Sequence, residues 1–363
     1  MPVNPERLRG LLRRLLDIYS PSGKEEEITE FLLGYLAGEG LPVTIQRVDD
    51  NRRNLLVIPP ETELQAVLIG HIDTVAAHDL NRYGYEEQRG DRVAGLGAAD
   101  MKGGCAAMIE AYAALWASGN RRLPAALALV VGEEETGDGA GKLAEEFHFP
   151  WALIGEPTGL RPCLSHYGYV EVQVVTHGRR MHASLARIDR NPIQSMLRLL
   201  LKISHYIENE RPEIVYNIRD LASSESGFAV PDRCDAWLDF HLPPTAGAGE
   251  IVAEIEAVFA GEQAENPDLN GALRFTIVHA GYELPEEGPL IETLREVYGR
   301  HRLPWNPGAF PSHSDANLLR ASGMKPILAG AGELEQAHAP GESVSMQQVA
   351  LAARVYHDLL LSL

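Results

Sequence analysis

Thiols are scarce in this chain. Its 363 residues hold three cysteines, Cys105, Cys163 and Cys234, an odd number with no C-x-x-C pair. That excludes a disulfide framework and a thiolate zinc site, and makes a reducing cytoplasm the expected setting. Positive charge is short as well: 32 Lys and Arg stand against 51 Asp and Glu, a net charge of -19. Nucleic acid and anionic membranes are repelled at long range by such a chain, so neither is expected as a partner. The first sixteen residues interleave Arg7, Arg9, Arg13 and Arg14 with leucines and contain no apolar run long enough for a signal segment or membrane span. Internal repeats and low-complexity tracts are also absent.

What is present is an ordinary globular composition, 45% hydrophobic, with length enough for two domains. Leucines at 8, 11, 12, 15 and 16 have helical spacing, and Ser20-Pro21-Ser22-Gly23 ends that helix. Ser22 and Glu25 have capping-box spacing for a second helix. Strands are predicted at 43–47, 55–58, 65–70, 125–131 and 151–155, with an alanine-rich helix before residue 118. Strands alternating with helices indicate an α/β sheet, whose strand ends collect ligand sites. From about residue 165 the periodicity changes: Val170, Val172 and Val174 alternate with polar neighbours, and the order β-α-β-β-α-β follows. The expected organisation is a mixed α/β sheet flanked by helices (1–164 and 283–363) with an inserted ferredoxin-like α+β lid (165–282).

Three consecutive acids, Glu133, Glu134 and Glu135, follow the apolar run 125–131. Like charges this close cost free energy unless a cation or a proton relieves them. His71, two residues before Asp73, follows another strand, and Asp73 is suited to hold an imidazole in one tautomer. Asp100 lies where a glycine-rich loop meets a helix, as an N-cap, a metal ligand or both. Glu156 ends a further strand, and His338 comes from a C-terminal loop. Histidines and carboxylates without a thiolate suit zinc or a similar divalent ion. Within the triplet, neighbouring acids can serve as one ligand and one base, and spacing alone does not divide these roles.

Six motifs in order, G-H-I-D-T-V, G-A-A-D-M-K-G-G, E-E-E-T-G, G-E-P-T, G-R-R-M-H-A-S and A-H-A-P-G-E-S-V, span nearly the whole chain. Together they resemble the dinuclear-metal amidohydrolase family of acetylornithine deacetylase, succinyl-diaminopimelate desuccinylase and glutamate carboxypeptidase. The resemblance implies that His71, Asp100 and Glu156 bind one metal and that Asp100 bridges to a second held by Glu135 and His338. It also implies that Glu134 is the general base, that Asp73 orients His71, and that His182 in the lid stabilises the developing oxyanion, often across a dimer interface. Two divalent ions are implied, zinc foremost, with cobalt or manganese as substitutes.

The chain departs from the family pattern at several positions. Glu133 stands where Asp is usual, His241 stands where many relatives carry Arg, and His313 is an additional candidate substrate contact. Arg179, Arg180, Arg187 and Arg190 crowd His182 and are suited to draw in an anionic substrate. The implied reaction is hydrolysis of the amide of an N-acylated amino acid: acetyl-lysine, acetyl-ornithine, or lysine or ornithine on an acidic carrier protein. This belongs to lysine or arginine biosynthesis, with a cytoplasmic homodimer as the expected form. A carboxypeptidase or dipeptidase of the same fold is the alternative, and a metal-binding homologue without catalysis is the rival class.

Overall fold

A computed structural model describes residues 2–60, 62–186 and 191–363. Contacts divide the chain into two compact units, Met1–Leu164 with Leu284–Phe310 and Ser314–Leu363, and Ser165–Glu283 with Pro311–His313. No helix of the described residues is long and apolar enough to cross a membrane.

The first unit begins with α1 (Pro5–Asp17), whose Asn4 side chain caps the amides of Glu6 and Arg7, and whose five leucines are buried. Next come α2 (Glu26–Gly38), β1 (Val43–Arg47), β2 (Arg53–Val57), β3 (Ala66–His71), β4 (Glu86–Glu87), β5 (Arg92–Ala94), α3 (Gly103–Ala117), β6 (Ala125–Val130), α4 (Asp138–Glu146), β7 (Trp151–Ile154) and β8 (Cys163–His166). Helix α2 starts one residue after Glu25, which makes no side-chain cap. The capping box predicted from Ser22 is therefore absent, because the Ser22 hydroxyl is engaged by Asp73 at 2.7 Å. Likewise Asp100 does not cap α3, whose N-cap is Lys102.

The second unit contains β9 (Gly168–His177), β10 (Met181–His182), α5 (Pro192–Glu210), β11 (Val215–Ser223), β12 (Ala229–Val230), β13 (Arg233–Leu242), α6 (Ala248–Glu265), β14 (Asn270–His279) and β15 (Tyr282–Glu283). Its antiparallel sheet runs β11-β13-β9-β14. Val170, Val172 and Val174 point to the face covered by α5 and α6, where they meet Met196, Leu199, Ile203, Ile251 and Ile255. The alternate residues lie on the other face, and register aligns His241, Tyr169 and His279 across three strands. Pro311–His313 packs with this unit because the His313 ring stacks on His279 and meets Tyr169 at a tilt, with centroids 4.9 and 5.0 Å apart.

The chain then completes the first unit with α7 (Pro289–Arg300), β16 (Gly308–Phe310), α8 (Asp315–Ala321), β17 (Lys325–Leu328), β18 (Ser343–Ser345) and α9 (Met346–Ser362). Its large sheet is mixed, in the order β1-β2-β6-β3-β7-β17-β8. At its centre β6, β3, β7 and β17 run parallel, and β3, β6 and β7 are buried throughout, as strands covered on both faces must be. Helix α3 can sit against them because its alanines and glycines leave it almost wholly apolar, its one acid, Glu110, being paired with Arg7.

Candidate active site

Parallel pairing places three strand ends together. His71, the last residue of β3, lies opposite Val130 of β6, and Ile69 lies opposite Ile154 of β7. The acidic turn after β6 and Glu156 after β7 therefore flank His71 at the carboxyl edge of the sheet. Asp100 enters from the turn before α3. Its amide and those of Gly97 and Ala99 donate to the buried Glu342 carboxylate at 3.0, 2.9 and 2.8 Å. His338 arrives from the loop before β18 with φ of 57°, a left-handed conformation that L-residues with a side chain rarely adopt and that recurs at functional sites.

Two groups of potential ligands share Asp100: His71, Asp100 and Glu156, and Asp100, Glu134 and His338, with the donor atoms of each group within 4.8 Å of one another. His71 Nε2 lies 3.2 Å from Asp100 Oδ1, and His338 Nε2 lies 3.7 Å from Asp100 Oδ2 and 2.8 Å from Glu134 Oε2. The third such group joins His71, Glu133 and Glu134, with His71 Nε2 3.8 Å from Glu133 Oε2.

Of the five ligand positions inferred from sequence, His71, Asp100, Glu156 and His338 converge and Glu135 does not. Glu135 is exposed and belongs to none of these groups. The cause is the turn: Gly132 O accepts from Thr136 N and Gly137 N, which turns Glu133 and Glu134 inward and leaves Glu135 on the solvent side. The position beside Asp100 and His338 is filled by Glu134, the residue the sequence reading assigned as base. Asp73 also differs from expectation. Its carboxylate is 3.7 Å from His71 Nδ1, beyond a hydrogen bond, whereas its main-chain carbonyl is 3.1 Å from that nitrogen. Sequence reasoning passed over Asp315, which is buried at the start of α8 with Oδ1 unpartnered among the described residues.

Electrostatics here are those of an acid cluster in need of a cation. Burial pushes Glu133 and Glu156 well above the carboxylate range, further raised by neighbouring acids and opposed by His71. Burial also raises Glu134, against its bond to His338, and lifts Asp315 to about 8. Burial opposes the charge on His71, but the bond to Asp100 and the surrounding acids hold its pKa well above normal. His338 is raised to about 9, first by its bond to Glu134. Glu134 Oε1 and Glu156 Oε1 are buried without a hydrogen-bond partner among the described residues. Orphaned oxygens and raised acids fit a site in which divalent ions replace protons. Cys105 is no ligand: its Sγ donates to His71 O, and burial pushes the thiol up to about 12.

A family model matches residues 67–362, the greater part of the chain and all the residues above except the N-terminal segment. The chain belongs to Peptidase family M20/M25/M40. It is accordingly a metal-dependent hydrolase, with a mixed-sheet fold carrying a site suited to two metals. Among M20 relatives, it is 27% identical to succinyl-diaminopimelate desuccinylase of Corynebacterium glutamicum over 96% of this chain and 95% of that protein. It is 25% identical to acetylornithine deacetylase of Vibrio cholerae over 91% of this chain and 89% of that protein. The crystal structure of a tripeptidase from Staphylococcus aureus superposes with a TM-score of 0.81 at 17% identity, covering 100% of this chain and 99% of that one.

The remaining residues inferred from sequence lie in the second unit. His182 is exposed on β10, its Nδ1 2.8 Å from Ser184 Oγ. Arg180 donates to Glu225 O at 2.9 Å, and Arg187 and Arg190 lie outside the described residues. His241 is half-buried beside Tyr169, with Nδ1 unpartnered among the described residues. Burial lowers its pKa and those of His279 and His313, so this end of the sheet carries neutral imidazoles.

Proposed function

We propose that this M20 hydrolase cleaves the amide of an N-acylated amino acid, acetyl-ornithine or acetyl-lysine or the corresponding carrier-protein conjugate, releasing the free amino acid. The observation that carries the chemistry is the pair of ligand groups sharing Asp100. His71, Asp100 and Glu156 would hold one ion, and Asp100, Glu134 and His338 the other. Bound there, such ions supply Lewis acidity toward the scissile carbonyl and make water acidic enough to attack near neutral pH. Zinc is the expected metal, since the donors are imidazoles and carboxylates, with cobalt or manganese as substitutes.

Glu133 is left as the general base. It adjoins His71 and Glu134 but belongs to neither group that shares Asp100, which leaves its carboxylate free to accept a proton from water. It takes the proton from the attacking water as the carbon–oxygen bond forms. It then returns that proton to the amine nitrogen as the carbon–nitrogen bond breaks, giving a carboxylic acid and a free amine. His182 is proposed as the donor to the developing oxyanion, in a cytoplasmic homodimer.

The substrate class draws on the desuccinylase and deacetylase relatives, each aligned over about nine-tenths of both chains. Peptide cleavage is the second reading, favoured by the likeness to the tripeptidase. A screen of acetyl-ornithine, acetyl-lysine, succinyl-diaminopimelate, carrier-protein conjugates, dipeptides and tripeptides with zinc, cobalt or manganese separates them. Turnover of acylated ornithine or lysine is expected. Release of residues from ordinary peptides, with every acylated amino acid untouched, would overturn the first reading.

A further inference from the structure

The segment between α1 and α2 lies as a strap along the turn that follows His71. Ser20 Oγ donates to Ile72 O at 2.9 Å, Thr74 N to Ser20 O at 3.0 Å, and Ser22 N to Thr74 O at 3.2 Å. This lattice holds Ser22 where its hydroxyl donates to Asp73 Oδ2 at 2.7 Å. The other donors to that fully buried carboxylate are the amides of the acidic turn: Glu133 N to Oδ1 at 3.2 Å and Glu134 N to Oδ2 at 3.1 Å. Asp73 thus acts on the site through the main chain of the two acids more than through the His71 ring.

We propose that Ser22 is a positioning residue for hydrolysis, setting Glu133 and Glu134 through the Asp73 carboxylate. The proposal rests on the reading of Glu133 as base and Glu134 as ligand. With its hydroxyl bond, Asp73 accepts three donors and its carboxylate plane is fixed. Without it, the carboxylate keeps one amide on each oxygen but loses the bond that ties it to the strap, so that the carboxylate and the two peptides bonded to it can shift together. A peptide that turns here carries the base and the ligand with it, and displacements near 1 Å at reacting groups cost about a hundredfold in rate. Glu25, three residues along, adds no donor: its carboxyl oxygens are buried without a hydrogen-bond partner among the described residues, with Oε1 4.0 Å from Arg52 Nη1.

The test compares Ser22→Thr with Ser22→Val, side chains of equal shape that differ in the hydroxyl, in the full chain loaded with zinc. The Val variant is expected to have a kcat about tenfold or more below the Thr variant, as for other residues that act by supporting ligands, with KM within about twofold and equal zinc content and thermal midpoint. In the metal-free protein, hydrogen–deuterium exchange at the amides of Glu133 and Glu134 is expected to be faster in the Val variant. Equal kcat and equal exchange in the two would overturn the proposal, as would a loss of kcat that only follows a fall in folded fraction. If neither β-branched side chain folds, Ser22→Ala against the parent reads the same quantities. Glu133→Gln in the same assay separates the two claims: activity retained there refutes the base assignment, while amide exchange still reports on Ser22.

Discussion

Replacing each acid of the turn by its amide separates three functions that lie on three consecutive residues. Glu133→Gln keeps the shape of a buried side chain next to His71 but removes its ability to take a proton. General base catalysis contributes about 10²- to 10⁴-fold, so the activation barrier should rise by about 2.7 to 5.4 kcal/mol at 1.36 kcal/mol per decade, with both ions retained. Glu134→Gln withdraws a charge from the group formed with Asp100 and His338, and the ion at that position should be lost or bound far more weakly, with activity falling in step. Glu135→Gln changes an exposed side chain outside every ligand group, so stability should stay within about 0.5 kcal/mol and turnover should be unchanged. The assay pairs kcat on the substrate found by the screen with metal content measured by atomic emission after dialysis. Loss of metal in Glu135→Gln with metal retained in Glu134→Gln would refute the register argued from the turn.

Two further perturbations test the electrostatics and the packing beneath the site. Asp315 is raised to about 8 against 3.8, and Glu25 to about 7 against 4.5, both chiefly by burial. The folded state then binds more protons than the unfolded one between those limits, so stability falls as pH rises through the window. Protein stripped of metal with EDTA should therefore show a thermal midpoint that declines from pH 5 to pH 8, and zinc added at pH 8 should restore it with release of protons; a midpoint that climbs steadily over this range would contradict the assignment. Gly104→Ala would place a Cβ 2.2 Å from the carbonyl oxygen of Gly155, next to Glu156, whereas Gly141→Ala meets nothing within 4 Å. The first should destabilise by about 2 kcal/mol or more and the second should stabilise by up to about 1 kcal/mol, as read from urea midpoints.

The strands of the first unit were legible because they are buried on both faces and bounded by polar turns, so that 125–131 and 151–155 differ from β6 and β7 only at their ends. His71, Asp100, Glu156 and His338 were legible because each follows a strand or sits in a glycine-rich loop. What sequence could not convey is direction. Three successive glutamates carry no mark of which faces inward, and only the closure of the turn on Gly132 O turns Glu135 out. Ser22 shows the same limit in another form: S-x-x-E is a local signal for a capping box, and a partner 51 residues away in sequence, Asp73, takes the hydroxyl instead. The capture of Pro311–His313 by the second unit depends on ring stacking between segments distant in sequence, to which no local pattern points.

The two ligand groups differ in their access to water. His71 and Glu156 are almost fully enclosed, while His338 is half exposed at the side chain and held on a loop in a left-handed conformation. An ion at the His338 position would exchange with the medium far faster than its neighbour. The catalytic competence of the molecule would then follow the free metal concentration around it through this one labile position.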